Sequence, residues 1–304
     1  MNPEPQYLVA DEDGVLTPHP LGLVECTNDQ YHSGPGISKS HLDAIAGASP
    51  LHYWHKYVNP ERERTEPSQA LIMGSAIHAI VLEPDLFTGE YMTVPADAPK
   101  RATKAQIAAK KPSPDAIASI EWWEAFEKEN AGRISLEDED YQTCRKIRDA
   151  VYRHPVARGL FAGGTAEQSF YAIDKETGEL MKCRTDYMHD SGAMIVDLKS
   201  TEDASPNGFG ESAANFRYPV QTAWYNGVLD NCFGEHPEDW VFVAVEKKPP
   251  FAVGVYFMEY DIIARAQIAA RRDFLRIVEH KRSGVWPDYG YTPTPLALPA
   301  WSKL

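Results

Sequence analysis

Apolar and polar positions divide the chain into three stretches. Residues 1–36 hold no sustained period; they are rich in Pro, Gly, Asp and Glu and read as a flexible leader. Helical periodicity starts at residue 37. Ser40 followed by Asp43 outlines a capping box, and Gly47 suits a C-cap. Pro50 suits the first turn of a helix over 51–57. Ser68 is an N-cap for residues 70–82, whose nearly continuous apolar run predicts a buried helix with Pro84 just past its end. Residues 93–115 are polar, basic and broken by proline, which predicts a long loop. Two further helices are predicted over 116–130 and 137–153.

The period then changes from helical to strand-like. Strands are predicted over 167–173 and 179–187, joined by the turn Asp174-Lys175-Glu176-Thr177-Gly178, and over 193–199 after His189-Asp190-Ser191-Gly192. A Gly/Asn/Ser-rich loop over 201–216 leads to a helix over 219–232. Strands over 240–246 and 253–260 flank Lys247-Lys248-Pro249-Pro250, and a helix over 261–282 ends at Ser283-Gly284. The tail from Val285 is aromatic and proline-rich. Helices, a strand run, then helix and strands predict one α/β domain over 37–304 with a C-terminal tail.

Composition narrows the classes. The 304 residues include 44 acids and 30 Lys and Arg, a formal charge of -14, with 43% hydrophobic and 24% charged residues, a mixture able to bury a core. No apolar run approaches the roughly eighteen residues of a membrane span, and Met1 to Pro18 lacks a signal peptide's basic and apolar regions. The expected location is cytoplasmic. Cys26, Cys144, Cys183 and Cys232 have no paired spacing, which fits a reducing compartment and argues against a zinc knuckle or an iron–sulfur cluster. The net charge argues against indiscriminate nucleic-acid binding, but leaves room for a local basic channel or a carboxylate cluster awaiting metal ions.

The third predicted strand carries the most chemistry. Alternation puts Asp197 and Lys199 on one face with Ile195, and Met194, Val196 and Leu198 on the other. A hairpin with the preceding strand can set Asp186 beside Asp197. Two adjacent carboxylates repel, and one pKa rises unless a cation neutralises them; oxygen ligands suit Mg²⁺. The other reading is a pair of surface strands with cross-strand ion pairs, and both stay open on these residues alone. Glu167 opens the first strand and is either a further metal oxygen or a solvated surface acid. His78 sits inside the buried helix, as ligand or as hydrogen-bonded core. Gln221 and Tyr225 share a helix face, fit to bond phosphate or orient a lysine, or simply a polar stripe. Lys100, Arg101 and Lys104 form the densest basic run, a candidate phosphate contact or an ordinary solvated loop. The nucleophile-elbow, phosphate-loop and dinucleotide fingerprints are absent from the sequence.

Asp186…Asp197-Leu198-Lys199 resembles the core of the PD-(D/E)XK nuclease superfamily, with its restriction-endonuclease-like fold of a central mixed sheet flanked by helices. Gly74-Ser75-Ala76-Ile77-His78 with Glu83-Pro84, then Glu167, then Gln221-Thr222-Ala223-Trp224-Tyr225 resemble further motifs of its exonuclease branch. That branch includes the RecB nuclease domain, lambda exonuclease and RecE-type exonucleases (exodeoxyribonuclease VIII). The run "GSAIHAIVLEPDLF" is most similar to the RecE type, and the resemblance spans roughly residues 38–301. The strand with the first aspartate lacks the proline of the superfamily name, and the iron–sulfur cysteines of the related AddB and CRISPR-associated nucleases are missing.

The resemblance implies roles. Asp186 and Asp197, with the Leu198 carbonyl, are the implied central ligands of two Mg²⁺ ions, with Mn²⁺ as a substitute; His78 and Glu167 complete the site. Lys199 orients or deprotonates the attacking water, Gln221 and Tyr225 support Lys199 and the scissile strand, and Lys100, Arg101 and Lys104 lie near the DNA end. The implied activity is digestion of linear double-stranded DNA from its ends, 5′ to 3′, leaving a 3′ single strand for a single-strand annealing protein. The implied assembly is a closed homo-oligomeric ring, a trimer or tetramer. Trp286, Tyr289, Tyr291 and Trp301 are candidate subunit contacts, or pack on their own subunit. The rival expectations are a restriction-like or structure-specific endonuclease on the same fold, and a non-catalytic module that binds DNA ends.

Overall fold

The computed structural model describes residues 8–10, 16–62, 67–95, 97–290, 292, 293 and 295–298. In chain order the strands are β1 (Leu8–Ala10), β2 (Leu16–Pro18), β3 (Gly22–Val24), β4 (Tyr91–Thr93), β5 (Ile134–Leu136), β6 (Gly164–Ile173), β7 (Leu180–His189), β8 (Met194–Thr201), β9 (Asp239–Glu246) and β10 (Val253–Phe257). The helices are α1 (Asn28–Ser33), α2 (Lys39–Gly47), α3 (Pro50–Tyr53), α4 (Gln69–Leu82), α5 (Pro84–Glu90), α6 (Lys104–Ile107), α7 (Pro114–Glu129), α8 (Asp138–Arg153), α9 (Pro155–Leu160), α10 (Pro206–Asn215), α11 (Tyr218–Phe233) and α12 (Tyr260–Ser283).

Six strands make the central sheet, in the order β10-β9-β8-β7-β6-β3. Only β8 and β9 run parallel, across a crossover through α10 and α11; the other neighbours are antiparallel. This is the expected mixed sheet flanked by helices. One face packs Phe170, Met181, Ile195, Trp240 and Phe242 against Leu42 and Ile45 of α2, Trp224 of α11 and Phe274 of α12. The opposite face packs Val196, Leu198, Val243 and Val245 against Ile77 and Ile80 of α4 and Ile147 of α8. β8 and β9 are therefore covered on both sides, which explains the apolar runs Met194–Val196 and Trp240–Val245.

Local chemistry accounts for most boundaries. The Ser68 side chain accepts from the Leu71 N–H and caps α4, as expected. Asp174 caps the β6–β7 turn by accepting from the Thr177 N–H and hydroxyl, with Gly178 at φ 75°. Gly284, at φ 67°, closes α12. No helix among the described residues is long and apolar enough to cross a membrane.

Several expectations need correction. Part of the presumed leader is ordered: β3 extends the sheet beside Ser169–Tyr171, and Thr27 with Gln30 forms a reciprocal capping box on α1. Ser38, not Ser40, caps α2, and its box partner is His41; Asp43 instead pairs with Lys39 and Arg217. The helix expected over 51–57 is α3 continued by a π turn, Trp54–Val58. The expected loop over 201–216 holds α10, because Ser205 accepts from the Gly208 N–H and Pro206 suits the first turn. The expected loop over 93–115 holds α6 and the start of α7, and β4 before it pairs in parallel with β5. In the tail, Trp286 stacks on Tyr53 of its own chain, with ring centres 5.3 Å apart, and Tyr289 is 80% exposed. Tyr291 and Trp301 lie outside the described residues.

Phe242 fills the centre of the first face, against Phe209, Tyr218 and Trp240. Phe242→Ala is expected to cost about 3–5 kcal/mol, measured by chemical denaturation, because the cavity forms inside a close-packed sheet-helix layer.

Candidate active site

The site begins where the sheet fails to close. β7 and β8 pair only at Tyr187↔Val196 and Met188↔Ile195. One step further the same register sets Asp186 opposite Asp197, and there the ladder stops. Asp186 Oδ2 instead accepts the backbone N–H of Leu198 at 2.8 Å, so a carboxylate stands in for a strand carbonyl. The strands part beyond this point, and helices from both faces reach the gap.

β6 is distorted at the matching height. Its pairing with β7 joins Ala166 to Tyr187 and Gln168 to Thr185 and passes over Glu167, whose φ is 53°. A left-handed glutamate inside a strand costs on the order of 1–3 kcal/mol. Across this point the faces swap: Ala166 packs toward α4 and α8, whereas Phe170 and Ala172, of the same parity, pack toward α11 and α12. Its effect is to bring the Glu167 carboxylate to the gap beside Asp186.

His78 arrives from α4. Its Nδ1 is 3.8 Å from Glu167 Oε1 and 3.7 Å from Asp186 Oδ2. Burial alone would lower the imidazole pKa, but the Asp186 and Glu167 carboxylates outweigh it and raise it to about 8. Burial and the charge of Asp197 push the Asp186 carboxyl up to about 7. Burial likewise works against ionised Glu167, yet His78 and the guanidinium of Arg184, 2.7 Å away, hold its carboxyl below the usual range.

Asp197 is buried and spends its oxygens on two neighbours. Oδ1 pairs with the Lys199 ammonium and Oδ2 accepts from the Gln221 amide of α11. Burial disfavours the Lys199 charge, but Asp197 and Asp186 hold its pKa above the ordinary value. The ammonium also lies 5.2 Å from the centre of the Tyr218 ring.

The structure thus brings Glu167, Asp186, Asp197, Lys199, His78 and Gln221 together. The expected support of Lys199 is different, however: Gln221 acts on Asp197, and the aromatic ring over Lys199 is that of Tyr218. Tyr225 packs edge-on against Trp240 and lines the cleft. Leu198 contributes its N–H to Asp186. Lys100, Arg101 and Lys104 do not line the cleft; Arg101 stacks 3.8 Å over Trp123 and pairs with Glu127 at 2.6 Å. Tyr218 and Arg184 were missed by sequence reasoning. Tyr218 had a readable signal, since it sits three residues before Gln221 on the same helix face.

The cleft has a volume of about 610 Å³, walled by Tyr31 and His32 of α1, Leu71 and His78 of α4, and Glu167, Arg184 and Asp186 of the sheet. His78, Glu167 and Asp186 offer one nitrogen and two oxygens within 4.8 Å of one another, a set able to hold a metal ion. The raised Asp186 points the same way electrostatically, because His78 and Lys199 only partly offset its burial and the charge of Asp197. Oxygen donors with one imidazole suit Mg²⁺ or Mn²⁺. The residues therefore fit a divalent cation.

A family model described as a PDDEXK-like domain of unknown function (DUF3799) matches residues 38–292. No curated protein matches the chain. Among solved structures, a candidate exonuclease from Eubacterium rectale is 15% identical, with 90% of this chain and 97% of that one covered, at a TM-score of 0.58. A phage-related exonuclease from Haemophilus somnus 129PT is 14% identical over 60% of this chain and 92% of that one, at 0.29. An alkaline exonuclease from Laribacter hongkongensis is 12% identical over 69% of this chain and 97% of that one, at 0.27. The first shares the fold; the other two superpose too loosely to bear on it.

The raised Asp186 carboxyl has a measurable cost. Its unfolded value is about 3.9 and its folded value about 7. The folded state holds the proton that the unfolded chain releases, so this contribution to stability is complete below about pH 4 and is lost as pH rises toward about 7. In chelator, the melting temperature of Asp186→Asn should gain on the native protein between about pH 5 and pH 7.5. Parallel melting profiles would contradict the assignment.

Proposed function

The chain belongs to this PDDEXK-like family, and on that premise we propose that it is a Mg²⁺-dependent exodeoxyribonuclease that digests linear double-stranded DNA from its ends. The observation that carries the reading is the convergence of Glu167, Asp186, Asp197, Lys199 and His78 on the gap between β7 and β8. An acidic protein can act on a polyanion here because bound cations would supply the positive charge that phosphate needs.

Each residue then has a task. His78, Glu167 and Asp186 would hold the metal, with Asp197 next to them. A divalent cation at this place supplies Lewis acidity and charge neutralisation to the phosphodiester. Lys199, kept protonated by Asp197 and Asp186, acts as a donor that orients the attacking water more readily than as its base. Gln221 fixes Asp197, and Tyr218 limits the directions open to Lys199. Resemblance to RecE-type exonucleases supports extending this reading to 5′ to 3′ polarity, a 3′ single-stranded product, a ring of three or four subunits and transfer of the product to an annealing protein.

Purified protein with Mg²⁺ should release nucleotides from linear duplex DNA and spare covalently closed circles; digestion of the circles would point to an endonuclease. Asp197→Ala and Lys199→Ala should each lower the rate at least about a hundredfold while the circular dichroism spectrum stays native. Near-normal rates in both would remove these residues from the chemistry.

A further inference from the structure

Arg184 lies two residues before Asp186 and outside every motif identified in the sequence. Its guanidinium is forked among acceptors on Glu167, Ser169 and Cys26. Nε donates to Glu167 Oε2 at 2.7 Å, while Nη1 donates to Ser169 Oγ at 2.6 Å and to the Cys26 carbonyl at 3.1 Å. Ser169 is its register partner on β6, so the fork rises from a fixed base.

Glu167 needs such a fixture. Its left-handed backbone leaves the ladder, so backbone pairing alone does not aim its side chain. Arg184 takes Oε2, and Oε1 is left facing His78 Nδ1 at 3.8 Å. The grip therefore decides which oxygen is available to a cation.

Cys26 lies outside the family match, which begins at residue 38. It opens a segment, residues 26–34, that walls the cleft with Thr27, Tyr31 and His32. A second β7 cation secures the far end of that segment: the buried Lys182 donates to the carbonyls of Tyr31 at 2.6 Å and Gly34 at 2.7 Å. Lys182 and Arg184 share one face of the strand, so two neighbouring cations dock the segment and one of them also grips Glu167.

We infer that Arg184 is a positioning residue that presents Glu167 to the divalent cation, and that docking of residues 26–34 through Arg184 and Lys182 sets the cation affinity of the cleft. This rests on the reading of His78, Glu167 and Asp186 as a cation site. Arginine suits the task because one planar fork holds both partners at once, whereas lysine is a single point charge.

The test is Mn²⁺ binding by calorimetry, without DNA, on the full chain. Arg184→Gln should bind Mn²⁺ about 10–100-fold more weakly, the range for outer-shell partners of metal ligands, and Arg184→Lys should fall between it and the native protein. Lys182→Met touches no cation ligand; it should weaken binding severalfold and speed amide exchange over residues 26–34. With DNA present, the cation concentration for half-maximal hydrolysis should rise in Arg184→Gln while the rate at saturating cation recovers. A merely structural role would lower the saturated rate and leave that midpoint in place.

Native Mn²⁺ affinity in Arg184→Gln overturns the positioning role, and native affinity in Lys182→Met overturns the coupling. If Arg184→Gln loses its far-ultraviolet spectrum, Arg184→Lys and Ser169→Ala carry the comparison, and native affinity in both overturns the role. A native chain that binds Mn²⁺ but leaves DNA intact defeats the nuclease reading alone. One that takes up no Mn²⁺ defeats both.

Discussion

Asp186 and Asp197 face each other at the point where β7 and β8 separate, inside a sheet covered by helices on both faces. Water cannot screen two such charges there, and one carboxyl responds by holding its proton up to about pH 7. The surroundings can be understood as answers to that repulsion. Lys199 and Gln221 attend to Asp197, the Leu198 N–H and His78 to Asp186, and Arg184 to the third acid, Glu167. The compensation is incomplete, which fits His78, Glu167 and Asp186 as a set able to hold a divalent cation.

Local apolar pattern explains which parts of the fold were readable. The strands over residues 164–201 carry alternating or continuous apolar positions, so their extent and the hairpin turn at Asp174 follow from local pattern. The adjacency of Asp186 and Asp197 follows from that hairpin geometry as well. His78 and Gln221 come from helices on opposite faces of the sheet, and no local rule brings them there; only the motif resemblance placed them.

The rest was illegible for identifiable reasons. β3 is a three-residue strand, too short for alternation to register, although Thr27 and Gln30 after it held a readable cap. Tyr218 and Tyr225 both share a face with Gln221, and choosing between them requires knowing which end of α11 meets Lys199. The basic residues near Lys100 read equally as a phosphate contact or a solvated loop; in the fold Arg101 lies over Trp123 and pairs with Glu127 of α7. Charge density along a sequence says little about whether a charge is already satisfied within the fold.

β3 covers only Ser169–Tyr171, so no described strand pairs with the outer side of Gly164–Gln168. An uncovered strand edge invites a foreign strand to add to it. Glu167, left-handed in the middle of that edge, interrupts the row of donors and acceptors a visitor would need. The kink beside the cleft thus also breaks a run of edge donors and acceptors that a foreign strand would otherwise extend.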